Sequence, residues 1–299
     1  MIRLLASLLL FAATCARADL AADKLTEAGI SVFTNAYRAW DSEQFDAAAK
    51  LFQSACNQPA ATATNFYWLG VGEFHRALCA LGTGDGSRQK ATAEALLNQA
   101  ADALKQAVAR EPNQAESHAL LGTIYGMEIG EHWLRAIWLG PRLQKELELA
   151  TANGTNDARV LYLLGTSQFY CARRESSRRE ALATLQQAEQ LFDAEAKTPP
   201  GPLEPRWGRD SCLTFIGNCY EKLGQPKEAA VYFRKALALH PENGMARAGL
   251  ARVTEGNLGV VKKSLLSAPA CAGCPPRSRC NNRVTPSRSL KKTLKSAAS

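Results

Sequence analysis

Residues 210–243 read DSCLTFIGNCYEKLGQPKEAAVYFRKALALHPEN, and the spacing of their residues specifies two helices joined by a tight turn. Leu213, Ile216, Gly217 and Tyr220 recur at helical intervals, as do Ala229, Phe233 and Ala236. Gly224 ends the first helix and Pro241 stops the second. Between them, Gly217 and Ala229 are small enough to let two helices approach, while Tyr220 and Phe233 fill the remaining space.

The same signature recurs upstream. Phe66, Leu69 and Gly70, then His118, Leu121, Gly122 and Tyr125, then Leu161, Leu164 and Gly165 read as first helices. Phe45, Ala48, Phe52 and Ala55 read as a second helix, as do Ala100, Leu104 and Ala107 before Pro112, and Ala181, Leu185 and Ala188. This pattern resembles the tetratricopeptide repeat, with Leu213 and His118 where the family usually has Trp. The resemblance implies an all-α fold, a right-handed superhelical solenoid of tetratricopeptide-type helix hairpins with irregular insertions.

The insertions follow from the spacing, because the L-G and I-G glycines lie at 70, 122, 165 and 217, wider than the family's period of about 34 residues. One insertion is Gly82 to Ser87, which is glycine-rich but lacks the preceding strand and the G-x4-G-K-[ST] order of a phosphate cradle. Another is Thr198 to Arg209, where Pro199, Pro200, Pro202 and Pro205 preclude a helix. Gly140-Pro141-Arg142, expected to precede a helix, together with Ala158 to Gly165 and Pro205-Arg206-Trp207-Gly208-Arg209, resembles a group of bacterial exported repeat proteins carrying a P-x-W-G element. That group implies an envelope location and no chemistry. Met245 to Val253 reads as a half-repeat capping the solenoid.

The chain begins Met1-Ile2-Arg3, runs apolar from Leu4 to Ala13 and reaches Ala16-Arg17-Ala18, the pattern of a secretory signal cleaved before Asp19. Residues 1–18 are therefore expected to be a signal peptide, 19–254 the solenoid, and 255–299 a basic, cysteine-containing tail, disordered from 264 for want of large apolar side chains. The location implied is periplasmic or secreted, with a lipid anchor on Cys15 as the rival. An apolar run this short does not span a bilayer, which takes about 20 residues. No later segment is both long and uncharged, so no transmembrane helix is expected.

Charge is distributed unevenly. Of the 36 Lys and Arg, nine lie in 256–299, where no acid occurs, and two lie in 1–18, so residues 19–255 hold 25 against 28 acids, a net −3. The high overall pI belongs to the tail and argues against specific nucleic-acid binding by the body.

Nor does the chain carry the elements of a catalytic site. Four histidines occur: His75, His118, His132 and His240. His118 fills a packing position, and His240, beside the closing Pro241, is expected to be exposed. Glu128 and His132 have helix-face spacing but no third ligand. Cys271, Cys274 and Cys280 fall one thiolate short of a four-cysteine site, and the helical cysteines Cys56, Cys79, Cys171, Cys212 and Cys219 read as small buried apolar groups. No G-x-S-x-G, H-E-x-x-H or kinase signature is present. No catalytic residue, metal or cofactor is expected.

The function implied is a scaffold for a protein or peptide partner, the alternative being a soluble envelope component associated with a small-molecule transporter. In the tetratricopeptide geometry the first helices line the concave face, which would place there Tyr67, Phe74 and His75, then Arg159, Tyr162, Phe169 and Tyr170, with Asn218 and Lys222, and with Glu116, Thr123 and Glu221 as further polar groups. Aromatic rings with an arginine are residue types enriched at binding hot spots.

Overall fold

The computed structural model describes the backbone of residues 2–82, 87–130 and 133–267, and the side chains of 20–82, 87–130 and 134–255. Among the described residues there are eleven α-helices and no strand: α1 (Ile2–Ala39), α2 (Ser42–Cys56), α3 (Ala63–Gly82), α4 (Ser87–Arg110), α5 (Ala115–Ile129), α6 (Trp133–Asn153), α7 (Ala158–Cys171), α8 (Glu175–Glu195), α9 (Arg209–Lys222), α10 (Pro226–Leu239) and α11 (Gly244–Ser267). Residues Met1–Leu258 form one compact unit and Gly259–Ser299 a second. The Glu128 and His132 pair, the loop 83–86 and the tail cysteines fall wholly or partly outside the described residues.

Within the first unit the helices pair as five successive hairpins, α1/α2 to α9/α10, and α11 follows as a single helix. Each hairpin closes on one contact type. A Cβ on Gly217 would stand 2.7 Å from the Phe233 ring, and the equivalent glycines Gly29, Gly70, Gly122 and Gly165 press as closely on Phe52, Leu104, Leu147 and Leu185. Full burial of a side chain such as Phe233 contributes about 1.5–3 kcal/mol, and the missing Cβ is what admits it. From glycine to partner the chain runs from 217 to 233 in the last hairpin but from 70 to 104 in the second. Much of the irregular spacing has gone into longer second helices, 24 residues in α4 and 21 in α6 and α8 against 14 in α10.

Two hairpins differ from the sequence reading. The helix over 42–56 is not an isolated second helix, because α1 packs on it through Gly29 and Phe52 and on α3 through Asn65, whose Nδ2 donates to Thr26 Oγ1 at 2.9 Å. Pro141 does not precede a helix but lies inside α6. A proline there forfeits one backbone hydrogen bond, and α6 continues because Leu139 and Leu143 on either side pack into the core and Leu147 seats against Gly122.

Helix ends follow local chemistry. Asp41 caps α2 by accepting from the amides of Glu43 and Gln44 at 2.9 and 3.3 Å, and Asp157 caps α7 from Arg159 and Val160 at 2.8 and 3.0 Å. Gly224, φ +73°, turns α9 into α10, and Gly208, φ +97°, turns the non-helical segment after α8 into α9. That segment, residues 199–208, crosses the inner side of the hairpins. α11 continues to Ser267, past the end of the repeat pattern.

Candidate functional site

The first helices carry the residues expected to form an open face, and most of those residues are inside. Tyr67, Phe74, His75, Arg159, Tyr162 and Asn218 are all buried, at 3–8% exposure. These six positions are closed to solvent, and much of what covers them is the chain itself. Trp207, from the segment before α9, is buried edge-on against His75 and Tyr162, with ring centroids 5.3 and 6.4 Å away. Its Nε1 donates to Tyr67 Oη at 3.1 Å, and Trp68 Nε1 donates to the Leu203 carbonyl at 2.9 Å. The P-x-W-G element therefore occupies the face that the repeats create.

A charge network fixes it there. Tyr67 Oη donates to Glu116 Oε2, Arg159 Nε donates to Glu116 Oε1 at 2.7 Å, and Arg159 Nη1 donates to both oxygens of Glu195 at 2.9 and 3.0 Å. Arg206 donates to the Glu195 carbonyl oxygen. Burial pushes the Glu116 carboxyl up to about 8 against the pull of Arg159. Burial likewise raises the Tyr67 hydroxyl, helped by the Glu116 charge. Beside this network a cavity of about 480 Å³ opens between Thr64, Asn113, Gln114, Glu116, Asp157 and Leu203.

A second cluster joins the first hairpin to the last. Tyr37 Oη donates to Asp210 Oδ1 at 2.5 Å, while His240 Nδ1 and Asn243 Nδ2 bond Asp210 Oδ2 at 3.0 and 2.9 Å. Burial alone would raise the Asp210 carboxyl, but these bonds, led by that from His240, hold it below the usual range. His240 stacks on Tyr37 at 5.3 Å and is buried, a correction to its expected exposure. His118 is buried too, its Nδ1 2.5 Å from Glu146 and its Nε2 2.9 Å from the Pro112 carbonyl.

A scan of sequence families matches the tetratricopeptide repeat to residues 211–243. The fold is similar to the crystal structure of TTC0263, a thermophilic TPR protein of Thermus thermophilus, with TM-score 0.54 and 20% identity over 78% of this chain and 99% of that one. This is a tetratricopeptide-repeat fold. The crystal structure of MamA, at TM-score 0.38 and 20% identity over 61% of this chain and 91% of its own, is a more distant match. No curated protein matches the chain by sequence.

What the tetratricopeptide face leaves accessible lies toward its C-terminal end. Tyr170 is 65% exposed, and its ring meets Phe169 and Phe215 at 5.5 and 5.7 Å. Phe169 is half-buried and Lys222 exposed. Asn218 lies between Phe215 and Lys222 on α9, its Nδ2 3.5 Å from Met245 Sδ, and Glu221 pairs with Arg252 at 2.8 Å. Thr123 is half-buried and bonds the Ala119 carbonyl within α5.

Elsewhere, Leu134, Ile137 and Trp138 form an exposed apolar stripe on α6, Trp138 at 79%. The five described cysteines are free thiols, with Cys79, Cys212 and Cys219 buried, Cys56 half-buried and Cys171 exposed. Among the described residues no group of three His, Cys, Asp or Glu side chains could hold a metal, and no helix is long and apolar enough to cross a membrane. Nothing in the local repeat pattern marks Trp207, Tyr37 or Asp210 as site residues, because their contacts span 140 and 173 residues.

Proposed function

We propose that the protein is an exported, non-enzymatic tetratricopeptide scaffold that binds a protein or peptide partner through the C-terminal part of its inner face. The tetratricopeptide architecture supports the class, since such repeats serve as protein-interaction modules. The single observation that carries the location is Tyr170, a large ring left 65% exposed over the half-buried Phe169 where the equivalent Phe74 and His75 of α3 are covered. Lys222 extends that face along α9. The test is a pull-down with Tyr170→Ala/Lys222→Glu against wild type. A partner held by wild type and lost by a variant with unchanged melting temperature is the expected result, and equal retention by both overturns the location.

Export rests on the Met1–Ala18 pattern. N-terminal sequencing of protein from the envelope should give Asp19. Intact chain in the cytoplasm overturns export, and a lipid on Cys15 replaces free release by anchoring.

A further inference from the structure

The hairpin turns beside Tyr170 carry cations that the rest of the molecule does not neutralise. Arg173, Arg174 and Arg178 lie at the α7–α8 turn, and Lys222 and Lys227 at the α9–α10 turn. Because hairpins α7/α8 and α9/α10 stack side by side, both turns fall on the same edge. Among the described residues none of these five makes an ion pair, a state they share with scattered cations such as Lys50 and Arg142, but these five are grouped at two adjoining turns. Arg179, one residue beyond Arg178, is already engaged by Glu175 at 2.6 Å. The nearby carboxylates left without an ion pair are Glu180 and Glu228, so the edge keeps a positive excess on a body whose net charge is −3. All five cations are exposed except Arg178, which is half-buried.

Two further features point the same way. The N-termini of α8 and α10 open on this edge; α8 carries a capping box in which Ser177 Oγ accepts from the Arg174 amide at 3.2 Å, and α10 starts on Pro226, which has no N–H, so what they add to the field is the positive ends of two helix dipoles. Tyr170 stands immediately before the α7–α8 turn, offering ring surface next to the charge. Resting on the reading that the partner docks over Tyr170, we infer that the partner's docking segment is an acidic peptide, with carboxylates on the Arg173, Arg174 and Lys222 edge and an apolar side chain against Tyr170 and Phe169. A long polyanion such as nucleic acid fits less well, because it would have to continue across a net negative body, whereas a short acidic segment meets only the patch.

The test uses the full chain and a fluorescent peptide of Glu and Asp residues around one Phe, read by anisotropy at low and physiological salt. The tail supplies nine cations of its own, so the deciding arm is the charge reversal Arg173→Glu/Arg174→Glu/Lys222→Glu, with Arg173→Gln/Arg174→Gln as the milder variant. Both are surface changes whose folding is verified by circular dichroism. The expected result is binding that weakens with salt, does not occur with the Gln/Asn version of the peptide, and falls about tenfold or more on charge reversal. Binding unchanged by the reversal, no binding of the acidic peptide at low salt, or a preference for oligo-dT or anionic vesicles each overturns the inference. A pulled-down partner lost with Tyr170→Ala but kept by the charge reversal would leave the docking face standing and remove only its acidic chemistry.

Discussion

Two regions of the inner face, both rich in aromatic rings, have opposite fates. Tyr67 and His75 on α3 and Tyr162 near the start of α7 are covered by Trp207 and its neighbours, whereas Tyr170, at the other end of α7 and at the repeat position of His75, stays in solvent. The difference is not in residue type, since both present aromatic rings. It lies in a segment inserted between α8 and α9, which the folded chain places against one half only. Repeat position alone therefore predicts which way a side chain points, and not whether water reaches it.

The largest effect should come from breaking the covered half at its charge network. Arg159→Ala removes a buried guanidinium that bonds the half-buried Glu116 and Glu195, leaving Glu195 only Arg206 at 3.6 Å, and should cost about 3 kcal/mol in chemical denaturation. A loss below about 1 kcal/mol, the scale of exposed pairs, would mean the network is solvated and the two halves are less different than described. Next come the rings themselves. Trp207→Ala and Tyr162→Ala should each cost about 3–5 kcal/mol, and Trp207→Ala should also increase the accessibility of Tyr67 and Trp68 to solvent probes.

A pH dependence sharpens the picture on a smaller scale. The bond to Glu146 raises the His118 pKa, outweighing burial. The sign follows from linkage: stability from this pair is fully present below the unfolded histidine value of about 6.5 and is lost as pH rises through the folded pKa. Melting temperature should decline over that window, and Glu146→Gln should flatten the decline. The smallest effects belong to the open half and to the outer stripe. Tyr170→Ala and Trp138→Ala should each stay within about 0.5 kcal/mol of wild type, and a larger loss for Tyr170→Ala would show that its ring is packed after all.

Much of the fold was legible because hairpin closure is local. Gly217 and Phe233, or Gly165 and Leu185, announce themselves through spacing. The first hairpin was missed because its glycine, Gly29, follows Ala28 in place of the Leu or Ile of the other first helices, and Pro141 misled because a proline's cost is outweighed when both flanks are packed. The site was less legible for a different reason. Tyr67 reads from its repeat position as an inner-face residue, but what covers it arrives from 140 residues away, and no periodicity encodes a contact such as Trp207 to Tyr67. His240, adjacent to a helix-stopping proline, looked like a surface residue until Tyr37 and Asp210 were brought to it.

The bond between Tyr37 and Asp210 changes how such a molecule comes apart. A repeat array in which each unit touches only its neighbours behaves as a one-dimensional chain, fraying from its ends and nucleating anywhere. Here Tyr37 of the first hairpin and Asp210 and His240 of the last share a buried cluster, so neither terminal hairpin can melt without exposing part of the other. Closing that cluster brings together residues 173 positions apart, which raises contact order and slows the final folding step. The expected outcome is an array that unfolds as a single cooperative unit rather than hairpin by hairpin.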